Sequence, residues 1–168
     1  MFKEIKPVEL KENTFDLIGN QWMLVTAAKE DGSCNTMTAS WGGLGVMWGK
    51  NVAYIVVRPQ RYTKEFIDAT GTLSLCILPE GSKKIYNYLG TVSGKSEDKI
   101  ANTGLTTAFD HQIPYFEESR IVLFCRPLFA QEYDTNCFLD KSLDERWYPQ
   151  KDYHTMYICE IEKVLVKE

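Results

Sequence analysis

Short apolar or alternating runs, separated by turns that glycine and proline mark, dominate this chain and predict β-strands. An unbroken apolar run is typical of a strand buried on both faces, and alternation is typical of a half-buried one. No βαβα order is visible, so the pattern favours an antiparallel barrel of about six or seven strands over a parallel doubly wound sheet. The clearest predicted strands are residues 21–28, 34–40, 52–57, 72–78, 121–129 and 155–166.

A few short helices are predicted between these strands. The first runs over residues 64–68, with Thr63 as its cap and Gly71 as its stop. A second covers residues 82–89 and stops at Gly90, and a third begins at Ser96 and stops near residue 104. The glycines at positions 42, 43, 45 and 49 are expected to break regular structure.

Composition places the chain among ordinary globular proteins and removes several classes of function. Its 168 residues, 44% of them hydrophobic, favour a single domain over residues 1–168. The net charge of −4 and the lack of a basic block argue against DNA or RNA as a partner, and no apolar run approaches the ~20 residues that span a bilayer. The N-terminus lacks a signal core, and the five cysteines form no CxxC pair. We therefore expect reduced thiols in a cytoplasmic protein, with no disulfide scaffold and no metal site.

Small and polar residues fill the end of the second predicted strand, before a glycine pair at 42 and 43. Glycines allow a ligand to approach the backbone closely, and the backbone N–H and C=O groups there suit a polar ring edge. The alternative is a Ser/Thr-rich strand that simply runs into a bend, and composition does not separate the two. The candidate ligand-binding residues are Asn35, Thr36, Met37, Thr38, Ala39, Ser40 and Trp41.

Two arginines and a hydroxyl meet where the first predicted helix begins. Arg58, Arg61 and Thr63 are all suited to an anion, and a helix N-terminus adds unpaired N–H groups. The alternative is that the arginines form surface pairs with Glu65 or Asp68, which would be weak. Together with the preceding strand end, the segment favours a phosphate that carries a flat aromatic ring, such as FMN.

Two further features, residues 93–96 and His154, are candidates for catalytic roles. Residues 93–96, Ser-Gly-Lys-Ser, imitate the end of a P-loop, but Leu89 stands where the pattern needs glycine, so ATP or GTP chemistry is not expected. The loop then either caps a helix or touches a phosphate through its lysine. His154, before the last strand, either has a structural role or serves as a proton donor near a reacting ring.

Taken in order, these segments resemble the flavin reductase-like family of FMN-binding split-barrel proteins, and within it the flavoredoxin-like branch. Four patches carry the resemblance, and they span the chain from about residue 15 to its end. They are residues 35–43, 58–63, 93–105 and 154–161.

The resemblance implies a fold and a site. The fold would be a mainly β, six-stranded antiparallel Greek-key barrel with a few short helices, in a homodimer that has flavin near the subunit interface. Residues 35–41 would hold the flavin ring, and His154 would be the catalytic residue. The phosphate would be surrounded by Arg58, Arg61, Tyr62 and Thr63, and the following loop would close on the flavin through Ser93 and Lys95.

The function implied is that of an NAD(P)H-dependent flavin reductase, in which NADH or NADPH reduces FMN and electrons pass to a small-molecule or protein acceptor. The alternative within the family is a flavoredoxin-type electron carrier reduced by a protein partner. A third hypothesis, a nucleic-acid-binding barrel, is disfavoured by the acidic balance. Cys159 departs from the family, which has glycine there, and residues 133–153 match no motif, although Trp147 and Tyr148 are available to stack on a ligand.

Overall fold

The computed structural model describes all residues from Met1 to Glu168 and is mainly β. The main sheet has eight strands. Seven of them are hydrogen-bonded to their neighbours in the order β3-β2-β6-β9-β10-β5-β4, and the eighth, β1, pairs with the C-terminal part of β10. A separate hairpin joins β7 to β8. The strands are β1 Phe2–Ile5, β2 Met23–Ala28, β3 Cys34–Ala39, β4 Gly42–Met47, β5 Lys50–Val57, β6 Leu73–Ile77, β7 Thr107–Asp110, β8 Ile113–Phe116, β9 Ile121–Glu132 and β10 Thr155–Lys167.

Every strand pair is antiparallel, so the predicted fold class is confirmed with more strands than expected. The two edge strands, β3 and β4, follow each other in the chain with only Ser40 and Trp41 between them. The sheet must therefore curl until its edges meet, which closes a barrel that has a split between β3 and β4. This split matters for function because an edge strand keeps one row of backbone N–H and C=O groups free of strand partners.

Four α-helices lie between the strands in the sequence: α1 Thr14–Asp16, α2 Thr63–Thr70, α3 Lys83–Thr91 and α4 Lys141–Trp147. A π-helical turn at Leu17–Gln21 continues α1, and 3-10 turns lie at Pro7–Glu9, Ala101–Thr103 and Thr135–Cys137.

The barrel core explains why the apolar runs form strands. A cluster of 22 buried residues fills the interior, and a second cluster of nine lies outside the sheet. Leu24, Cys76 and Phe124 from three strands pack in the second cluster against Leu89 of α3. Strands β2, β6 and β9 are thus covered on both faces, which is why their sequences are apolar without alternation.

Several local predictions are wrong for identifiable reasons. Gly42, Gly43 and Gly45 do not break regular structure, because they lie in β4 and pair with β5, whereas Gly49 lies in the turn between these strands as predicted. A Cβ at Gly42 would lie 2.5 Å from the backbone carbonyl oxygen of Tyr54, so glycine is needed there for these strands to pair. Residue 63 does not cap α2, because it is the first helical residue and Tyr62 occupies the cap position without a side-chain bond. Gly71, by contrast, ends that helix in the left-handed conformation as predicted.

Two other helix boundaries also differ from the prediction. Helix α3 continues through Gly90 to Thr91, because packing against β3 holds the backbone helical there. The helix predicted from Ser96 is instead a series of turns with a 3-10 turn at Ala101–Thr103. Pro127 lies within β9 opposite Cys159, where the register between β9 and β10 shifts.

Candidate functional site

An open cavity of about 280 Å³ lies at the split of the barrel, where β3 ends and α3 meets it. We call it the split pocket. It is somewhat smaller than most ligand pockets. Its lining residues are Met37, Thr38, Ala39, Ser40, Trp41, Val56, Arg58, Arg61, Gly90, Trp147 and His154.

The end of β3 supplies one wall of the split pocket mostly through its backbone. The Thr36 hydroxyl is fully buried and bonds to Thr26 at 2.8 Å, and the Thr38 hydroxyl donates to the Tyr86 carbonyl of α3. These two side chains are therefore committed to the fold. Because β3 is an edge strand, the backbone from Met37 to Trp41 remains the source of hydrogen bonds on this wall.

Two cations lie near each other at the end of α3, and we call Arg61 and Lys99 the cationic corner. Arg61 lines the split pocket, whereas Lys99 lines a neighbouring cavity. Arg61 donates to the Gly90 carbonyl at 2.7 Å and contacts the Met37 sulfur, but no carboxylate pairs with it. Lys99 is 3% exposed and donates to the Leu89 and Val92 carbonyls at 2.8 and 2.9 Å. Burial lowers the pKa of Arg61, and burial with the nearby Arg61 charge lowers the pKa of Lys99 to about 8.

Carbonyl dipoles at the end of α3 therefore hold both charges, and neither has a counter-ion. Uncompensated cations in a half-buried site are expensive unless an anion joins them. An anion bound at the cationic corner would therefore remove an electrostatic cost.

The opposite side of the split pocket is closed by residues 147–154, and Arg58 fastens them. Arg58 pairs with Asp152 at 2.6 Å, donates to the Trp147 carbonyl at 2.9 Å and stacks 5.0 Å from the Tyr148 ring centre. We call Arg58, Trp147, Tyr148, Asp152 and His154 the latched wall. Arg58 is thus neutralised by Asp152, rather than by either acidic residue of α2 that the sequence offered as a partner.

Aromatic rings line the latched wall. Trp41 and Trp147 meet edge to face with centroids 4.9 Å apart, and the His154 ring lies 5.4 Å from Trp41. Nδ1 of His154 bonds to the Tyr148 hydroxyl at 2.7 Å. Burial, and then the positive charge of Arg58, lower the pKa of His154 to about 4, while Asp152 opposes the shift. His154 is therefore neutral at physiological pH.

The remaining predicted residues form a second group behind the cationic corner. Asn35 donates to the Thr63 hydroxyl at 2.9 Å, so that hydroxyl is 1% exposed and faces Asn35 instead of a ligand. Lys95 pairs with Glu65 at 2.5 Å and lies over the Tyr62 ring. The loop that carries Ser93 packs so closely that a Cβ on Gly94 would lie 2.2 Å from the Asn35 side chain.

The structure thus divides the predicted site residues into two sets. Those at the split pocket are Met37, Thr38, Ala39, Ser40, Trp41, Arg58, Arg61 and His154. Those outside its lining are Asn35, Thr36, Tyr62, Thr63, Ser93 and Lys95, of which Asn35 and Tyr62 line a neighbouring cavity of about 560 Å³ that Lys99 also borders.

Sequence reasoning missed Lys99 and the end of α3. The signal was available, because Lys99 lies in the resembling stretch 93–105, but only the structure shows that its ammonium is buried beside Arg61. Cys159, the departure from the family, is fully buried in the barrel core and does not line the split pocket. No cluster of His, Cys, Asp or Glu is arranged to hold a metal ion. None of the helices has the length and apolarity that crossing a membrane requires.

Comparison with known proteins identifies the fold. The family model for the flavin reductase like domain matches residues 15–168. The flavoredoxin of Desulfovibrio vulgaris (Miyazaki F) is 25% identical, with a TM-score of 0.68 over 88% of this chain and 69% of its own. No curated protein is similar enough to the chain to count as a match.

Two more distant structures share the fold alone. An FMN-binding domain of a flavin reductases-like enzyme from Shewanella baltica is 15% identical, with a TM-score of 0.70 over 99% of this chain and 77% of its own. An NADH:FAD oxidoreductase from Streptomyces globisporus is 15% identical, with a TM-score of 0.64 over 88% and 75% of the two chains. The predicted resemblance to split-barrel proteins is thereby confirmed.

Proposed function

Since the chain belongs to the flavin reductase like domain family, we propose that it is an FMN-binding oxidoreductase whose flavin lies in the split pocket. The ring would rest against the β3 edge and the tryptophans, and the phosphate would reach the cationic corner. The proposal covers a single domain over residues 1–168.

The observation that carries this proposal is the cationic corner. Arg61 and Lys99 have only carbonyl partners, and Gly90 brings the end of α3 within van der Waals distance of Thr38. A phosphate dianion would compensate both charges through charge-assisted hydrogen bonds, which are among the stronger ones in proteins. Riboflavin, which has the same ring and no phosphate, would gain nothing from this corner.

The ring end of the pocket fits a flat, partly polar ligand. Backbone groups from Met37 to Trp41 lie at an unpaired strand edge, and Trp41 with Trp147 offers apolar faces set at 87° to each other. Hydrogen bonds from such an edge would stabilise negative charge on a ring as it gains electrons. His154 would offer a neutral N–H donor to the ligand that faces the ring.

Bound FMN would supply the transfer of hydride and of electrons, and the protein would supply position, exclusion of water and electrostatics. The phosphate-binding role of Arg61 is distinct from the roles of Arg58 and Asp152, which hold residues 147–154 against the pocket. We propose Arg58, Asn35, Thr36, Tyr62, Thr63, Ser93 and Lys95 as residues that shape the cofactor site, and Met37, Thr38, Ala39, Ser40, Trp41 and Arg61 as residues that face the flavin.

We propose NADH or NADPH as the electron donor and a small molecule or a protein as the acceptor. The similar Streptomyces globisporus protein is named as an NADH:FAD oxidoreductase, which supports a nicotinamide donor. The five cysteines are free, which fits a reducing cytoplasmic location.

We also propose a homodimer that uses the outer face of β5, β10 and β9. Tyr54 lies opposite Ile158, which in turn lies opposite Phe129, and the Trp48 ring is 6.3 Å from Phe129. Tyr54, Phe129 and Trp48 are 43, 42 and 58% exposed, and apolar side chains gathered in this way mark association surfaces. A partner placed there would lie near the open side of the split pocket.

The second candidate function is that of a flavoredoxin-type electron carrier, and the 25% identity to a flavoredoxin favours it. Such a carrier would bind FMN in the same pocket but would receive electrons from a protein partner. The cationic corner suits both functions equally, since both need the same phosphate.

Mixing the FMN-loaded protein with NADH or NADPH in the absence of oxygen separates the two candidates. Prompt loss of the visible flavin absorbance is expected for a reductase. Bleaching that requires an added redox protein would establish the carrier instead. A protein that is colourless after incubation with FMN and gel filtration, and that does not quench FMN fluorescence, would contradict both.

A further inference from the structure

Tyr148 and His154 form a buried pair behind the split pocket. Tyr148 is 3% exposed and His154 is 7% exposed. Their rings meet edge to face at 5.5 Å, and the Tyr148 hydroxyl lies 2.7 Å from Nδ1 of His154. The pair joins the residue that follows α4 to the residue that precedes β10, so it connects the segment without a family motif to the predicted catalytic residue.

The proton of the Tyr148 hydroxyl has one hydrogen-bond acceptor in the chain. The Tyr148 hydroxyl makes no hydrogen bond other than the one to His154. If Nδ1 carried a proton and donated to the hydroxyl, the phenolic proton would be left without an acceptor in a buried site, which is costly. Tyr148 therefore donates and Nδ1 accepts, so that a neutral imidazole must carry its proton on Nε2.

The other ring nitrogen of His154, Nε2, is accessible to solvent. Nε2 has no hydrogen-bond partner in the chain. Ser119 Oγ is the one fully buried side-chain polar atom that lacks a partner, so Nε2 is not fully buried. Nε2 is thus in contact with solvent, and His154 reaches solvent where it lines the split pocket beside Trp41.

The groups that face His154 keep it neutral. Arg58 is the nearest cation, Asp152 neutralises much of that charge, and Tyr133 contributes a ring 6.2 Å away. Burial outweighs the carboxylate, so the pKa of His154 is lowered to about 4. The ring is then an N–H donor without charge over the whole physiological range.

We propose that Tyr148 is a positioning residue that fixes His154 as the neutral Nε2–H tautomer and aims this donor into the split pocket. A donor of this kind suits a lone pair on an uncharged ligand atom, such as a carbonyl oxygen held next to the flavin, and does not transfer a proton as an imidazolium would. The consequence for turnover rests on the proposed function, but the tautomer itself does not depend on it.

Nitrogen-15 NMR of protein labelled at its two histidines tests the proposal without any activity measurement. In the wild-type protein, His154 should show an unprotonated, hydrogen-bonded Nδ1 and a protonated Nε2 between pH 6 and pH 8. His111, whose side chain is 95% exposed, serves as the solvent-exposed internal reference.

Tyr148→Phe removes the hydroxyl and keeps the ring, and Tyr133→Phe is the matched control because the Tyr133 hydroxyl has no bond to His154. In the Tyr148→Phe variant, the Nδ1 resonance should lose its hydrogen-bonded shift and the pKa of His154 should rise by about half a unit to one unit. Tyr133→Phe should leave the tautomer and the hydrogen-bonded Nδ1 unchanged.

A wild-type spectrum that places the proton on Nδ1 would overturn the proposal, as would a Tyr148→Phe spectrum identical to the wild type. The wild-type spectrum alone decides between tautomers if the variant does not fold. FMN binding is measured separately by quenching of flavin fluorescence. Failure to bind FMN with the predicted tautomer present would therefore count against the proposed function and not against the role of Tyr148.

Discussion

The cationic corner and the latched wall both contribute residues to the split pocket, and their charges are balanced in opposite ways. At the corner, Arg61 and Lys99 are held by carbonyls and meet no carboxylate. At the wall, Arg58 is neutralised by Asp152, and His154 is uncharged. Arg58 and Arg61 are only three positions apart, so their different partners come from tertiary structure and not from local sequence. The comparison teaches that a positive charge without a counter-ion is found only at the corner, which is where we propose that the phosphate binds.

The largest effect is expected for Arg61→Ala, which tests whether the cationic corner binds the phosphate. Removing a charge-assisted bond should cost roughly 1.5–3 kcal/mol of FMN affinity, which is about one to two decades, and should leave riboflavin affinity nearly unchanged. Fluorescence titrations with both flavins measure the effect. Arg126→Ala is the matched control, because Arg126 pairs with Glu160 and Glu162 on the protein surface. Equal losses for both flavins would contradict the phosphate role.

At the wall, His154→Ala should lower turnover about tenfold without loss of bound FMN. The reason is that a neutral donor contributes about one hydrogen bond to the reacting state, or roughly 1–1.5 kcal/mol. Stopped-flow reduction of the loaded protein gives the rate, and its flavin absorbance gives the occupancy. Release of FMN by this variant would show that the histidine is structural.

Lys99 makes the corner sensitive to pH. Its folded pKa of about 8 lies below the ordinary lysine value, so its positive charge is lost as the pH rises above 8. FMN affinity should then fall by roughly threefold to tenfold towards pH 9.5, while riboflavin affinity stays level.

The lowered pKa of Lys99 also affects the stability of the flavin-free protein. Between about pH 8 and pH 10.4, Lys99 is protonated in the unfolded chain but not in the native protein. The free energy of unfolding should therefore increase as the pH rises through that window. Lys99→Met is the matched variant, and both pH dependences should flatten in it. An unchanged pH dependence of FMN binding in Lys99→Met would remove Lys99 from the corner.

Trp147→Ala tests whether the wall holds the ring. Loss of an edge-to-face aromatic contact costs about 0.5–1.5 kcal/mol, so FMN and riboflavin should both bind about twofold to tenfold more weakly. Phe109→Ala, which removes another exposed aromatic ring on β7, provides the control. A loss confined to FMN would mean that the phosphate reaches the wall.

The smallest expected effect is that of Arg58→Ala on the preference for phosphate. Because Asp152 already compensates Arg58, the ratio of FMN to riboflavin affinity should change by less than about twofold. Thermal unfolding should show a modest destabilisation of about 1 kcal/mol from the lost ion pair and carbonyl bond. A fall in the ratio as large as that of Arg61→Ala would show that Arg58 leaves Asp152 for the ligand.

Much of the fold could be predicted from the sequence, because apolar runs and turn residues report burial directly. The buried strands β2, β5, β6 and β10 lie within one or two residues of their predicted bounds. Strand β4 was missed because its glycines signal a bend, whereas their actual role is to let β4 pass under Tyr54. Close approach of distant residues leaves no local pattern.

The candidate site divides in the same way. The segment from Met37 to Trp41 and Arg61 could be selected because their residue types match a chemistry. The partners of Arg58, Thr63 and Lys95 could not, since Asp152, Asn35 and Glu65 reach them through the fold. An unpaired cation is a property of a whole neighbourhood, and sequence alone does not show which arginine lacks a carboxylate.

The most direct test of the central claim, that one end of this pocket is built for a phosphate, is the ratio of the two flavin dissociation constants in the unmodified protein. Titration calorimetry at pH 7 should give FMN a dissociation constant at least tenfold lower than that of riboflavin, since charge-assisted bonds to Arg61 and Lys99 are expected to contribute about 1.4 kcal/mol or more. Equal dissociation constants for FMN and riboflavin would contradict the claim.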